Sequence, residues 1–144
     1  MINTVEPEVK YKDARYYFAE DKDNTFINNL IDEVKLDEPF DWKAKILIFE
    51  YKGEKVGLAG FNFQETDKGL MPRFEHILLT KKVRGTKVAV KLLLIMEDYF
   101  KSEGYKQYLV YVRKDNERMK KYASHWGMVS YLDDDNGTWY FKNI

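Results

Sequence analysis

Residues 81 to 93, KKVRGTKVAVKLL, gather Lys81, Lys82, Arg84, Lys87 and Lys91 around a single glycine, with no acid among them. From Thr86 the apolar residues Ala89, Leu92, Leu93, Met96, Tyr99 and Phe100 recur at helical spacing, so the cations stand where a helix begins. A helix start carries N–H groups without intrahelical partners and the positive end of the helix dipole, which stabilises an anion. Small residues let a ligand approach the backbone, and Arg or Lys adds charge-assisted bonds to phosphate oxygens. Two readings follow: a cradle for phosphates, or a solvated basic face with its lysines extended into water.

Other chemistries are excluded more simply. The chain has no cysteine, hence no disulfide, thiolate metal site or cysteine nucleophile. His76 and His125 alone do not furnish a zinc site, so no metal is expected. The 24 Lys and Arg balance 24 Asp and Glu, which argues against wrapping nucleic acid or coating an anionic membrane. A nucleic-acid contact through 81–91 ranks last, because the cations are confined to one segment and the aromatics follow core periodicities. No stretch approaches the length needed to cross a bilayer, and the opening MINTVEPEVKYKD has no apolar signal region. A soluble, cytoplasmic protein is expected.

The elements that must position this loop follow in order. ARYYF (14–18) reads as an aromatic-rich strand, and Phe26, Ile27, Leu30, Ile31 and Val34 as a helix capped by Asp23 or Asn24 and ending before Pro39. KILIFEY (45–51) and KVGLAGFNFQ (55–64) form a hairpin across Lys52 and Gly53, and RFEHILLT (73–80) is the next strand. After the 86–100 helix come Gly104, the apolar strand QYLVYV (107–112), and a helix with Met119, Tyr122, Ala123 and Trp126 on one face, stopped by Gly127. Strands over 128–132 and 138–142 flank a loop of Asp133, Asp134, Asp135, Asn136 and Gly137. The order β, α, β, β, β, α, β, α, β, β implies an α/β mixed sheet with helices on its faces, in one domain spanning residues 1–144.

With these elements in place, LLTKKVRGTKVAVKLL resembles the acyl-CoA pyrophosphate loop of the GCN5-related N-acetyltransferase (GNAT) superfamily. Its motif runs Arg or Gln, two residues, Gly, one residue, then Gly or Ala. Arg84 takes the first position and Ala89 the last, whereas Lys87 stands where the family usually has glycine. Downstream landmarks agree: Gly104 before the apolar strand, Asn116 opening the next helix, and Gly127 with Met128 closing it. The motifs cover about residues 44 to 144; the first 43 match only by order of elements.

The resemblance implies a mostly antiparallel sheet with a V-shaped splay between strands 4 and 5, and acetyl-CoA as co-substrate. Arg84, Gly85, Thr86, Lys87, Val88 and Ala89 would bind its pyrophosphate, Leu78 and Leu79 its acetyl and pantetheine parts through their backbone, and Asn116 the CoA or merely its own helix start. The implied activity is direct transfer of an acetyl group to a primary amine, on a small molecule or a peptide, within a ternary complex.

For the general base Glu75 is the candidate, sharing a face with Leu79 if alternation is strict; the alternative makes it a partner of Arg73 or Lys81. His76 then points the other way, as a buried, hydrogen-bonded residue. For the acid, the family's tyrosine position falls on Ala123, and Tyr122 beside it, or His125, is the substitute. The aspartates 133–135 either attract a cationic amine or serve solubility. Lys87 and Ala123 also support a second function, a catalytically weak binding or regulatory module on the same fold. Such domains often pair through their sheets, which leaves a homodimer open.

Overall fold

The computed structural model describes residues 13–144. Residues 1–12, with the expected domain start and the reading of the N-terminal segment, lie outside the described residues.

The strand expected over ARYYF is β1 (Ala14–Phe18). A short 3-10 turn at Asp21–Asp23 leads into α1 (Asn24–Val34), which ends at Lys35 in a left-handed conformation, before Pro39 as expected. Asp23 occupies the N-cap position, but its side chain does not cap the helix. That carboxylate is fully buried and instead accepts from Lys55 Nζ at 2.6 Å, Tyr17 Oη at 2.8 Å and the Glu20 N–H at 2.9 Å. Polar spacing alone does not distinguish the two uses of an aspartate at a helix start.

β2 (Lys45–Tyr51) and β3 (Glu54–Thr66) are joined by Lys52 at φ 52° and Gly53 at φ 79°. Two successive left-handed residues match the right-handed twist of a two-residue hairpin, as the sequence suggested. β3 and β4 (Gly69–Leu79) run longer than the apolar pattern indicates, out to a second hairpin at Asp67–Lys68. Then follow α2 (Lys87–Ser102), β5 (Gln107–Arg113), α3 (Glu117–His125), β6 (Val129–Asp133) and β7 (Gly137–Asn143).

The seven strands form one sheet in the order β1-β2-β3-β4-β5-β7-β6, and every neighbouring pair is antiparallel except β4–β5. That parallel pair is short: among the described residues Arg73 faces Leu109 and Phe74 faces Val110, with no further pair between the two strands. β4 nevertheless continues to Leu79 and β5 to Arg113, so the strands diverge and open the expected splay.

The helices cover both faces. One core gathers Phe61, Phe74, Leu92, Ile95, Phe100 and Val110 beneath α2, with Met119 of α3 packed against it. On the opposite face Ile27 and Leu30 of α1 pack on Ile46, Ile48, Leu58 and Leu78. Burying such side chains stabilises the fold by roughly 1.5–3 kcal/mol each, and α1 and α2 thereby fix the two walls of the splay.

Candidate functional site

Where β4 and β5 separate, a cleft of about 800 Å³ opens, lined by β4 from Arg73 to Leu79, by Arg84, Gly85 and Ala89, by Tyr111 and Arg113 of β5, and by Asn116 and Tyr122. This size is ordinary for a ligand site.

At one end lies the cationic loop. The Thr80 carbonyl accepts from the N–H groups of Val83 and Arg84, both at 3.1 Å, and the Val83 carbonyl accepts from the Thr86 N–H at 3.2 Å. Thr86 caps α2: its Oγ1 donates to the Val83 carbonyl at 2.6 Å and accepts from the Val88 N–H at 3.2 Å. The N–H groups of Gly85 and Lys87 have no partner among the described residues, so two donors remain at the positive end of a 16-residue helix. Gly85 is at φ 72°, a left-handed conformation that favours glycine, and a Cβ built there meets nothing within 4 Å.

Arg84 lines the cleft about a quarter exposed, 3.9 Å from Oε2 of Glu33, the oxygen that also accepts from the Lys81 N–H at 2.7 Å. Glu33 thus ties the loop to α1. Lys87, in the family's glycine position, is exposed and lies outside the cleft lining, as the first residue of α2. Val88 packs against the core, and Ala89 is buried beneath the loop at 3% exposure.

Along the splay, hydrogen-bond alternation decides which backbone groups are free. The Thr80 N–H bonds the Val56 carbonyl at 2.9 Å, and the register continues with Leu79 opposite Gly57 and Leu78 opposite Leu58. In an antiparallel pair the bonded residues alternate, so Leu78 is turned to β3 while Leu79 and Ile77 present their backbone to the side β5 has vacated. The expectation of two backbone contacts from Leu78 and Leu79 is corrected accordingly: the open edge belongs to Ile77 and Leu79. Counting back two residues from Leu79 would have found Ile77.

Strict alternation also fails upstream. Gly60 pairs with His76 and Phe61 with Phe74, which leaves Glu75 as a β-bulge. Glu75 lines the cleft, and its Oε1 accepts both from Arg73 Nε at 2.9 Å and from Arg73 Nη2. Arg73 in turn donates to Gln64 at 2.9 Å. Of the two partners considered for Glu75, Arg73 is the one it has, and Oε2 has none among the described residues. His76 is buried as expected: Nε2 accepts from the Asp41 N–H at 3.1 Å and the ring stacks on Phe40 at 4.7 Å.

α3 contributes Asn116, whose side chain accepts from the Met119 N–H at 3.0 Å and so caps the helix while lining the cleft. Ala123 is fully buried, whereas Tyr122 is half-buried, lines the cleft, and has no hydrogen-bond partner for its hydroxyl among the described residues. His125 is exposed and outside the lining.

The acidic hairpin loop is a built structure. Asp134 Oδ1 accepts from Tyr111 Oη and the Asn136 N–H, both at 2.8 Å, and from the Gly137 N–H at 2.9 Å. The Tyr111 hydrogen bond, with those N–H groups, holds the Asp134 carboxyl below the usual carboxylate range. None of the three aspartates lines the cleft.

Two groups were not visible in the sequence. Glu38, on the loop after α1, and Trp139 of β7 both line the cleft; neither lies in a periodic pattern that points there. Deeper, Glu97 Oε2 accepts from Tyr108 Oη at 2.7 Å and from Lys142 Nζ at 2.5 Å, and Lys142 lies 5.2 Å from the Trp126 ring centroid. Burial, reinforced by the Glu97 charge, pushes the Tyr108 hydroxyl far above its ordinary value.

A seven-stranded mixed sheet splayed between β4 and β5, with an unsatisfied helix start at the mouth of the splay, is the architecture that the sequence led us to expect, and the comparisons agree. Residues 8–128 match the family model for the acetyltransferase (GNAT) family, and the chain belongs to that family. Among solved structures it is similar to Arabidopsis thaliana Naa50 in complex with a CoA-linked bisubstrate analogue, with a TM-score of 0.71 and 14% identity over 92% of this chain and 99% of that one. It is likewise similar to the Salmonella typhimurium acetyltransferase that modifies the N-terminal serine of ribosomal protein L7/L12, with a TM-score of 0.73 and 15% identity over 92% and 96%. A Vibrio cholerae spermidine N-acetyltransferase variant gives 0.73 and 13% over 91% and 94%. At these identities the likeness is one of fold. No curated protein matches the sequence. Among the described residues no helix is long and apolar enough to cross a membrane, and no cluster of potential metal ligands occurs.

Proposed function

We propose that the chain is an N-acetyltransferase that moves an acetyl group from acetyl-CoA directly to a primary amine in a ternary complex. The observation that carries this reading is the meeting, in one cleft, of an open β4 edge at Ile77 and Leu79 with Arg84 and Gly85 of the loop that starts α2, where the Gly85 N–H lacks a partner among the described residues.

The residues fit the co-substrate. The Gly85 N–H and Arg84 are placed for a pyrophosphate, and Ala89 with the glycine conformation at Gly85 leaves room beside them. The free N–H groups of the β4 edge are donors for the oxygen that gains charge as an amine attacks a carbonyl. Acetyl-CoA supplies the activated thioester. Glu75, which lines the cleft and whose Oε2 has no partner among the described residues, takes the proton the amine must lose, directly or through water. Tyr122 holds a proton on the α3 side, where the departing thiolate would need it. Ala123 favours the reading as a weak binding module, but Tyr122 occupies the cleft in its place.

The test is a thermal melt with and without excess acetyl-CoA, for the wild type and Arg84→Ala, beside an assay of free thiol release with an amine panel. Saturation at about 100 times Kd is expected to add roughly 2.7 kcal/mol of stability to the wild type, and far less to the variant. A melt unmoved by acetyl-CoA would sink the reading; a shift without thiol release from any amine would leave the binding module.

A further inference from the structure

The segment between α1 and β2, residues 35–44, is a strap laid over β4 on the sheet face away from α2. Leu36 and Phe40 pack into the core of that face, and Lys35, Leu36, Asp37 and Glu38 line the cleft. Asp37 meets Arg113 of β5 at 3.3 Å across the splay, an exposed pair of the kind that holds weakly. The firmer attachment is at His76, which is buried and also lines the cleft. Its Nε2 accepts from the Asp41 N–H at 3.1 Å, and its ring stacks on Phe40 with centroids 4.7 Å apart. An imidazole accepts only at an unprotonated nitrogen, so here the ring is neutral and Nδ1 carries its one proton.

Protonation of Nε2 would set two N–H groups against each other, and the part-buried Asp41 N–H would lose its partner. Two carboxylates of the strap are placed to receive the new charge. Glu38 Oε2 lies 3.9 Å from Nδ1, beyond hydrogen-bond reach while the ring is neutral. The Asp41 carboxyl is held below the usual carboxylate range by Asn62, with the N–H groups of Lys43 and Ala44, so it is ionised wherever an imidazole gains charge. The other elements bring no rival to the ring. β3 sets Gly60 opposite it, Glu75 beside it on β4 is engaged by Arg73, and Glu33 of α1 turns to Lys81 and Arg84. Lys35 and Lys43 are exposed at the two ends of the strap.

We propose that His76 is a positioning residue that works as a proton-operated catch: the neutral ring holds the strap, with Asp37 and Glu38, against the cleft, and the protonated ring releases the Asp41 N–H and turns to the carboxylates of Glu38 and Asp41, so that this wall of the cleft moves. That the wall serves the amine acceptor rests on the acetyl-transfer reading; the coupling of strap to ring does not.

The experiment is a nuclear magnetic resonance titration of the full chain between about pH 5 and 8, where imidazoles change charge. The sequence has two histidines, so His125→Gln assigns the ring signals of His76. The Asp41 amide signal is expected to move with the midpoint of the His76 ring. Its protection from hydrogen exchange, corrected for the intrinsic pH dependence of exchange, is expected to fall by about tenfold across that midpoint. His76→Gln offers a carbonyl oxygen to the same N–H at every pH and should abolish both changes. A His76 ring that does not titrate in this range, an Asp41 amide indifferent to it, or a change that survives His76→Gln would each overturn the proposal; the first two are read without altering position 76, so a variant that fails to fold leaves the test standing. Kinetics then address the acceptor side. From pH 7.5 to 5.5 the KM for an accepted amine, taken as the ratio of wild type to His76→Gln, should rise by about tenfold, while the melting shift with acetyl-CoA stays alike in the two proteins. A flat ratio would overturn the catch's role at the acceptor. If acetyl-CoA shifts the melt at no pH while the Asp41 amide still follows the ring, it is the acetyl-transfer reading that has failed.

Discussion

Glu75 and Tyr122 face one cleft with different degrees of freedom. Glu75 has one oxygen fixed by Arg73 and the other without a partner, so Glu75→Gln should preserve the contact with Arg73 while removing the base. Steady-state kinetics should show kcat falling by roughly a hundredfold, with KM for acetyl-CoA little changed. The Tyr122 hydroxyl matters only while the leaving thiolate needs a proton. Tyr122→Phe should therefore slow the reaction at neutral pH, and the deficit should shrink as pH rises through about 8.5, the ordinary thiol pKa. A deficit independent of pH would argue for a packing role.

Asp23 poses a different residue-scale question. Burial pushes its carboxyl up, yet the hydrogen bonds from Lys55, the Glu20 N–H and Tyr17, with the Lys55 charge, hold it below its ordinary value. A depressed folded-state pKa contributes stability that is present above the unfolded value, about 3.9, and is lost as pH falls through the folded one. Asp23→Asn should cost about 2 kcal/mol at pH 7, and urea titrations should show that difference shrinking below about pH 4.

At the scale of elements, the sequence carried the strands and helices through their periodicities: KILIFEY, QYLVYV and the Met119–Tyr122–Ala123 face lie in the elements expected of them, with Trp126 as the C-cap. The loop 81–86 was legible because helix-start chemistry and the family motif coincide at Arg84 and Ala89. What it did not carry is what a single strand's pattern leaves out. The bulge at Glu75 is a property of the pairing with β3, so period-2 counting misassigns that side chain; the open edge at Ile77 depends on where β5 departs; and Glu38 reaches the cleft from a loop with no periodicity at all.

The close approach of β3 to β4 yields an element-scale prediction. A Cβ on Gly57 would lie 2.6 Å from both the Leu78 carbonyl oxygen and Leu79 Cδ2, one of them rigid backbone. Gly57→Ala must displace the end of β4, with an expected loss of about 1–3 kcal/mol and a fall in acetyl-CoA affinity, read from the ligand-induced melting shift. Lys87→Ala should do neither, because that side chain lies outside the cleft; affinity within about threefold of wild type is expected, less than 1 kcal/mol.

On the scale of the whole molecule, the splay that creates the cleft also weakens the sheet. Among the described residues, β1 to β4 pair through the backbone with β5, β7 and β6 only at Arg73–Leu109 and Phe74–Val110. Helix α2 bridges the halves, packing on Tyr16 and Phe61 on one side and on Tyr108 and Val110 on the other. The network of Glu97, Tyr108 and Lys142 fastens it to the second half. Both ends of the ion pair are nearly buried, with side-chain exposures of 13% for Lys142 and 10% for Glu97. Removing one partner of such a pair leaves the other charge without compensation, a loss of roughly 3–5 kcal/mol, whereas replacing both by apolar groups is often close to neutral. Glu97→Leu and Lys142→Leu should each lower stability by that order, and the double variant should recover most of it in a urea-denaturation cycle. Should the double variant match the sum of the singles, the pair would not be what fastens α2, and the hold on the second half would lie with the apolar contacts around Tyr108 and Val110.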